Sequence, residues 1–244
     1  MRRVEPCRVT SFARDAIMAL LLIVTPAAAM AGETEWKRLQ EQAQAAFDRR
    51  DFARSEHLAR EALLEADASL GAYHRATEES LDLLSLVLRV EKRPAEALPF
   101  AQRLVNVRTR RYGPRDVHTA VALHNNAEIL IALRRLDAAE ESQRAAVEIF
   151  TVKLGPDHFN TAAGLHNMGA IRLNQKRYAE AEIYLAQALV AKERSSKPGN
   201  LSIASTLDNL AVALEAQGKR EEALRIKGRA DAIRRAAALG KAPR

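Results

Sequence analysis

Cysteine is nearly missing from this sequence: Cys7 is the only one among 244 residues. A single thiol cannot form an intrachain disulfide or a cysteine metal cage. Aromatic residues make up only 5%, which leaves helix packing to small and aliphatic side chains. Gly and Pro, at 10 and 8 copies, fall mostly between periodic segments. No apolar run reaches the roughly 18 residues that a spanning helix needs. There is no G-x-S-x-G, phosphate loop, H-E-x-x-H or Ser/His/Asp arrangement. The acids lie at i, i+4 spacing to Arg and Lys, with no pair set aside for acid/base work. These gaps argue against an enzyme, and no catalytic residue, cofactor or metal is expected. The net charge of +7 comes from 38 basic residues dispersed among 31 acids. That reads as a solvated basic surface and gives no nucleic-acid site.

What is present is a comb. Leu123-His124-Asn125-Asn126-Ala127 returns as Leu165-His166-Asn167-Met168-Gly169 and as Leu207-Asp208-Asn209-Leu210-Ala211, 42 residues apart each time. Stepping back by 42 gives Leu81 with Ser85, then Leu39 with Ala43. One small-residue column is Ala43, Ser85, Ala127, Gly169 and Ala211. A second is Ser55, Ala97, Ala139, Ala181 and Ala223. Two helices approach closely only where both side chains are small. Each repeat therefore reads as a helix pair (helix A, then helix B) that cannot bury both faces alone. Five such antiparallel pairs stack into an all-α solenoid.

The repeats occupy residues 32–238, after a leader at 1–31 and before a basic, disordered tail at 239–244. In the leader, Arg2, Arg3, Arg8 and Arg14 precede an apolar run from Ala16 to Val24, and small residues Ala27 to Ala31 follow Pro26. Positive n-region, short apolar h-region and an A-x-A site describe a signal peptide cut after Ala31. Its removal predicts export to a periplasm or the medium, no membrane span, and a net charge of about +5. The alternative is a retained anchor. Cys7 precedes the apolar run, so it is no lipoprotein cysteine and leaves with the leader.

Pro94 suits the first turn of helix B in repeat two, whereas Pro99 predicts a kink or a delayed start. Asp116 in Gly113-Pro114-Arg115-Asp116 is placed to cap a helix, and His158 supports the equivalent start. Arg108, Arg110 and Arg111, with Arg115 nearby, read as cations at a helix carboxyl end or as a patch for an acidic partner.

Helix pairs with these small columns resemble the tetratricopeptide repeat. Leu154-Gly155-Pro156-Asp157-His158, Tyr178-Ala179-Glu180-Ala181-Glu182 and the repeated Leu-x-Asn stretch are similar to its kinesin-light-chain-like subclass, over residues 33–235. The resemblance implies a right-handed superhelix that binds protein segments and has no chemistry of its own. It also implies that Asn125, Asn167 and Asn209 hold ligand backbone.

Residue 125 lies about 200° around helix A from residue 123, away from helix B. The stripe at 121, 125, 128 and 132 then lines a concave groove. It carries Asn125 and Glu128 in repeat three, Asn167 and Asn174 in repeat four, and Asn209 in repeat five. Repeat two offers Leu83, Leu86 and Val90, and repeat one Glu41, Gln44 and Asp48. An Asn amide both donates to and accepts from an extended backbone. The same amides could instead bond a neighbouring repeat. His124 and His166 share a column at the groove edge; two His with Asp208 make a poor metal set. The expected function is binding of an extended partner segment toward the carboxyl half of the groove. The alternative is a scaffold that works through its edges or self-association.

Overall fold

The computed structural model describes residues 26–195 and 200–239, with side chains from residue 30 onward. The basic run of the leader, Cys7, the Lys197-Pro198-Gly199 turn and the tail at 240–244 lie outside the described residues. The described residues form ten α-helices in five antiparallel pairs. These are α1 (Pro26–Asp48) with α2 (Phe52–Ser69), α3 (Arg75–Val90) with α4 (Pro94–Tyr112), and α5 (Val117–Ala132) with α6 (Leu136–Leu154). Then come α7 (Phe159–Asn174) with α8 (Tyr178–Ser195), and α9 (Leu201–Ala216) with α10 (Arg220–Ala238). Helix α1 already includes the small residues Ala27 to Ala31 around the expected cut. No described helix is long and apolar enough to cross a membrane.

The comb has a physical cause at every turn. Between repeats, Gly71, Gly113 and Gly155 adopt φ of 102°, 96° and 95°, where a Cβ is strained. The Thr six residues on donates its hydroxyl to each glycine carbonyl, at 2.9, 2.8 and 2.8 Å. The next helix is capped one column earlier by His74, Asp116, His158 and Asn200, each accepting from the N–H two residues on. Within repeats, the left-handed position falls on Arg50, Lys92, Arg134, Lys176 and Gly218. Four of the five are cations, which suit the carboxyl end of helix A.

Both small columns are buried throughout. Ser55 donates to the Ala43 carbonyl at 2.9 Å, so the two backbones touch at those columns. A Cβ on Gly169 would lie 2.5 Å from Leu185 Cγ, which is why that row carries glycine. Pro99 causes no late start: α4 runs unbroken from Pro94 to Tyr112. Ala95 and Pro99 are both exposed, so water can take the carbonyl that the proline leaves free.

Helices A approach one another at α1–α3, α5–α7 and α7–α9, and no comparable approach joins helices B. The A layer is thus the inner wall. The buried apolar residues fall into a large cluster from Leu39 to Ile171, a second from Ala181 to Ile233, and a small third one around Phe150 with Ala120, Ala146 and Ile149. The junctions between repeats differ. Glu56 meets Arg93 at 2.6 Å, and Leu98 and Leu133 share the large apolar cluster. Glu140 meets Arg172 and Gln175, and Glu182 meets Gln217 and Lys219.

Candidate functional site: the inner wall of the solenoid

In the amino half the inner wall opens into a hollow across α1, α3 and α5, walled by Gln40, Gln44, Glu79, Asp82, Leu86 and Asn125. Leu83 is its nearly closed floor, 5% exposed, while Leu86 and Val90 are 37% and 43% exposed. The charges around it are already paired. Arg89 binds Glu128, Arg75 binds Glu79, and buried Arg108 donates to Glu78 and Asp82, each at 2.8 Å. Among the described residues, the half-buried Asn125 amide takes no protein hydrogen bond.

The other two asparagines of the ladder are tied to the repeat before them. Asn167 Nδ2 donates to Glu128 Oε1 at 3.4 Å, and Asn209 Nδ2 meets His166 Nε2 at 3.5 Å. The column arithmetic explains the difference. The position 42 residues before Glu128 is Leu86, which offers Asn125 no acceptor. The position 42 residues after it is Ala170, so Asn209 turns to His166 instead. Asn174 bonds Arg134 and donates to its own helix at Ala170 O, 2.8 Å away.

The two histidines point inward. His124 Nδ1 lies 3.1 Å from Gln143 Oε1, its Nε2 lies 3.6 Å from Glu128, and its ring meets Phe150 edge-on. Burial lowers the His124 pKa, and the Arg89 charge adds to this against the pull of Glu128 and Gln143. His166 Nδ1 is 3.1 Å from Thr206 Oγ1. That hydroxyl donates to Ser202 O at 3.0 Å and accepts from Lys192 Nζ at 2.9 Å. His166 therefore donates through Nδ1 and accepts through Nε2, which makes it neutral. Burial pushes its pKa down to about 4, helped by the Lys192 and His124 charges. Lys192 is 4% exposed and pairs with no carboxylate among the described residues; burial lowers its pKa to about 8. Asp208, considered above as a third metal ligand, pairs with Arg234. Among the described residues no three His, Cys, Asp or Glu side chains converge on a metal position.

Arg172, Lys192 and Thr206 were missed by the sequence reading. Arg172 had a visible signal: its column reads Ala46, Leu88, Leu130, Arg172, Leu214, so a charge stands in an apolar row. It is 5% exposed and bonded to Glu140, whose pKa it pulls down to about 2 with help from Gln175 and Arg144. The reading of Arg108 as part of a surface patch is corrected: it is buried on Glu78 and Asp82.

An inner wall of stacked A helices, with small columns at every A–B contact, defines a helix-pair repeat solenoid. The tetratricopeptide repeat model matches residues 118–189 and 160–236, which are repeats three to five. The chain is a tetratricopeptide-repeat protein. A search of curated protein sequences finds no match. Among solved structures, BtubC (BKLC) from P. vanneervenii is similar at 20% identity and TM-score 0.70, over 89% of this chain and 93% of that one. A Podosopora anserina putative kinesin light chain with nearly identical repeats aligns at 18% identity and TM-score 0.70, over 84% and 96%. A Rap protein complexed with Competence and Sporulation Factor aligns at 17% and 0.64, over 84% of this chain and 55% of that one. At such identities the likeness is one of fold.

Proposed function

We propose that this protein is a non-enzymatic interaction module whose inner wall holds an extended segment of a partner protein. The observation that carries this reading is the hollow at repeats one to three. There an unengaged Asn125 amide shares the wall with the exposed Leu86, and Val90 is exposed one turn further along α3. Amides give register to a bound backbone, and the aliphatic side chains supply apolar contact. The solved complex of a Rap protein with Competence and Sporulation Factor supports it by fold analogy. The test is a photo-crosslinking residue at Leu86 in the native cell, compared with one at Val152 on the far face. Capture of one defined protein from Leu86 alone, lost in the Asn125→Ala background, is the expected result. Equal capture from both positions overturns it.

We also propose that the chain is exported through its leader, supported by the Arg-rich start, the apolar run from Ala16 and the Ala29-Met30-Ala31 site. Mass spectrometry of the exported form is expected to begin at Gly32; an intact Met1 sinks the cleavage. The second reading, a scaffold that works through its edges, is favoured by the unpaired cations on the edge between repeats two and three.

A further inference from the structure

The edge where helices B hand over to the next helix A is not uniform. Between repeats two and three it gathers Tyr73, Arg110, Arg111, Tyr112, Arg115 and His118. Arg110 lies over the Tyr73 ring at 5.0 Å, and Tyr112 stacks on His118 at 4.2 Å. Arg111 donates to the Tyr73 carbonyl at 2.9 Å and pairs with Glu78 at 3.0 Å. These bonds fix the shape of the edge. Among the described residues, Arg110, Arg115 and Lys153 are exposed and enter no ion pair. The nearby acids are already engaged: Asp116 caps α5 and meets His118, Asp67 holds Arg103, and Asp157 holds Arg194. The edge thus presents the exposed charges of Arg110 and Arg115 beside a rigid aromatic bed, with Lys153 near Asp116, outside the groove.

We propose that this edge docks an acidic peptide segment of a partner protein, with Arg110, Arg115 and Lys153 as the charges that read it. Lys153 stands one repeat after Arg111 in the column order. Guanidinium forks bind carboxylates in pairs of parallel hydrogen bonds, which a point charge cannot do. An acidic peptide fits better than a nucleic acid. Both tyrosine rings are already covered on one face, by Arg110 and by His118, and base binding depends on open rings. The site does not depend on the groove and survives if that reading fails.

The full chain is titrated with a fluorescent ten-residue oligoglutamate, and the Kd is followed from low to moderate salt. Arg110→Glu/Arg115→Glu is expected to weaken binding at least tenfold and flatten its salt dependence. Its melting temperature is expected to stay unchanged, because neither side chain is in the core. The control is Arg54→Glu/Arg225→Glu, which makes the same change in net charge at exposed cations elsewhere. Should the control weaken binding equally, attraction is a matter of net charge and the edge is no site. Should single-stranded DNA of the same length bind more tightly and be lost with Arg110→Glu/Arg115→Glu, the partner is a nucleic acid and the proposal fails. The milder Arg110→Gln/Arg115→Gln variant covers any loss of folding in the first; unchanged binding in it also refutes the proposal.

Discussion

The two halves of the solenoid solve the same packing problem with different side chains. In the amino half, Leu98 of repeat two and Leu133 of repeat three join one apolar cluster, Arg89 pairs with Glu128 across the same junction, and the inner wall keeps an unengaged Asn125 with exposed Leu86. In the carboxyl half the same columns hold Glu140 with Gln175 and Glu182 with Gln217, while Asn167 and Asn209 are bonded across repeats. Polar pairs cross the junctions in both halves, but Leu86 offers Asn125 no acceptor and its amide is left over. In the carboxyl half Glu128 and His166 use up the amides of Asn167 and Asn209. A binding surface and a stable junction thus compete for the same residues. This moves the expected binding site from the carboxyl half, where the asparagine ladder alone placed it, to the amino half.

The largest effect is expected at the junction of repeats three and four. Glu140→Ala strips buried Arg172 of its main carboxylate, leaving Glu180 at 3.2 Å and the neutral Gln175 Oε1 at 2.7 Å. Breaking a buried pair from one side costs about 3–5 kcal/mol. Thermal unfolding checks this, and hydrogen exchange should show the loss centred on α6–α8. Leu98→Ala, in the same column one repeat earlier, also destabilises, by about 2–4 kcal/mol, because it opens a cavity. Only Glu140→Ala is expected to be rescued by a second change, Arg172→Leu, which restores the leucine of that row. Failure of that rescue would mean that the charge at Arg172 is not the source of the loss.

Both halves hold a buried histidine of lowered pKa, and His166 in the carboxyl half is the one displaced furthest. His166 titrates near 4 in the folded chain against an ordinary 6.5. Between those values the unfolded chain binds the proton and the folded chain does not. Stability therefore rises with pH across the window and is fully lost to this group below 4. The cost of acidifying from neutrality to pH 4 is about 3 kcal/mol at most. Denaturant unfolding between pH 6.5 and 4.5 should show a shallower slope for His166→Gln than for the parent. Hydrogen exchange should show α7–α9 losing protection first. Identical slopes in the two proteins would remove His166 as the cause.

The all-α solenoid of helix pairs was legible in the sequence because its cause is periodic. Small columns, glycine turns and capping residues recur every 42 residues, and a repeated residue reports the same contact each time. The A-helix stripe was legible for the same reason: two steps of helix place Asn125 opposite Leu123. What could not be read was the employment of each asparagine. That depends on side chains from another repeat, Glu128 for Asn167 and His166 for Asn209, that reach across a junction. Column comparison shows that Leu86 replaces Glu128, but not that the rotamers meet. Lys192 escaped notice because its column, Ala66, Arg108, Phe150 and Lys192, has no common chemistry to break.

A smaller pair of effects separates the ladder into its two kinds of asparagine. Asn209→Ala removes a cross-repeat hydrogen bond and is expected to lower stability by about 1 kcal/mol, with partner affinity nearly unchanged. Asn125→Ala should leave the melting temperature within experimental scatter and weaken the partner about tenfold. The reverse pattern, with affinity lost in Asn209→Ala and retained in Asn125→Ala, would return the site to the carboxyl half.

The smallest expected change in stability is also the sharpest test of the competition between junction and groove. Leu86→Glu places a carboxylate 42 residues before Glu128, in the relation to Asn125 that Glu128 has to Asn167. The exposed position tolerates the charge. Net stability should shift by no more than about 0.5 kcal/mol. The Asn125 amide should become engaged, visible as a shifted and slowly exchanging side-chain NH2 resonance. Partner binding should then fall as far as in Asn125→Ala. Adding Asn125→Ala to Leu86→Glu should cost little more, because both changes withdraw the same amide. Additive losses would instead mean that Leu86 and Asn125 contact the partner separately, and that the amide's availability is not what sets the amino half apart.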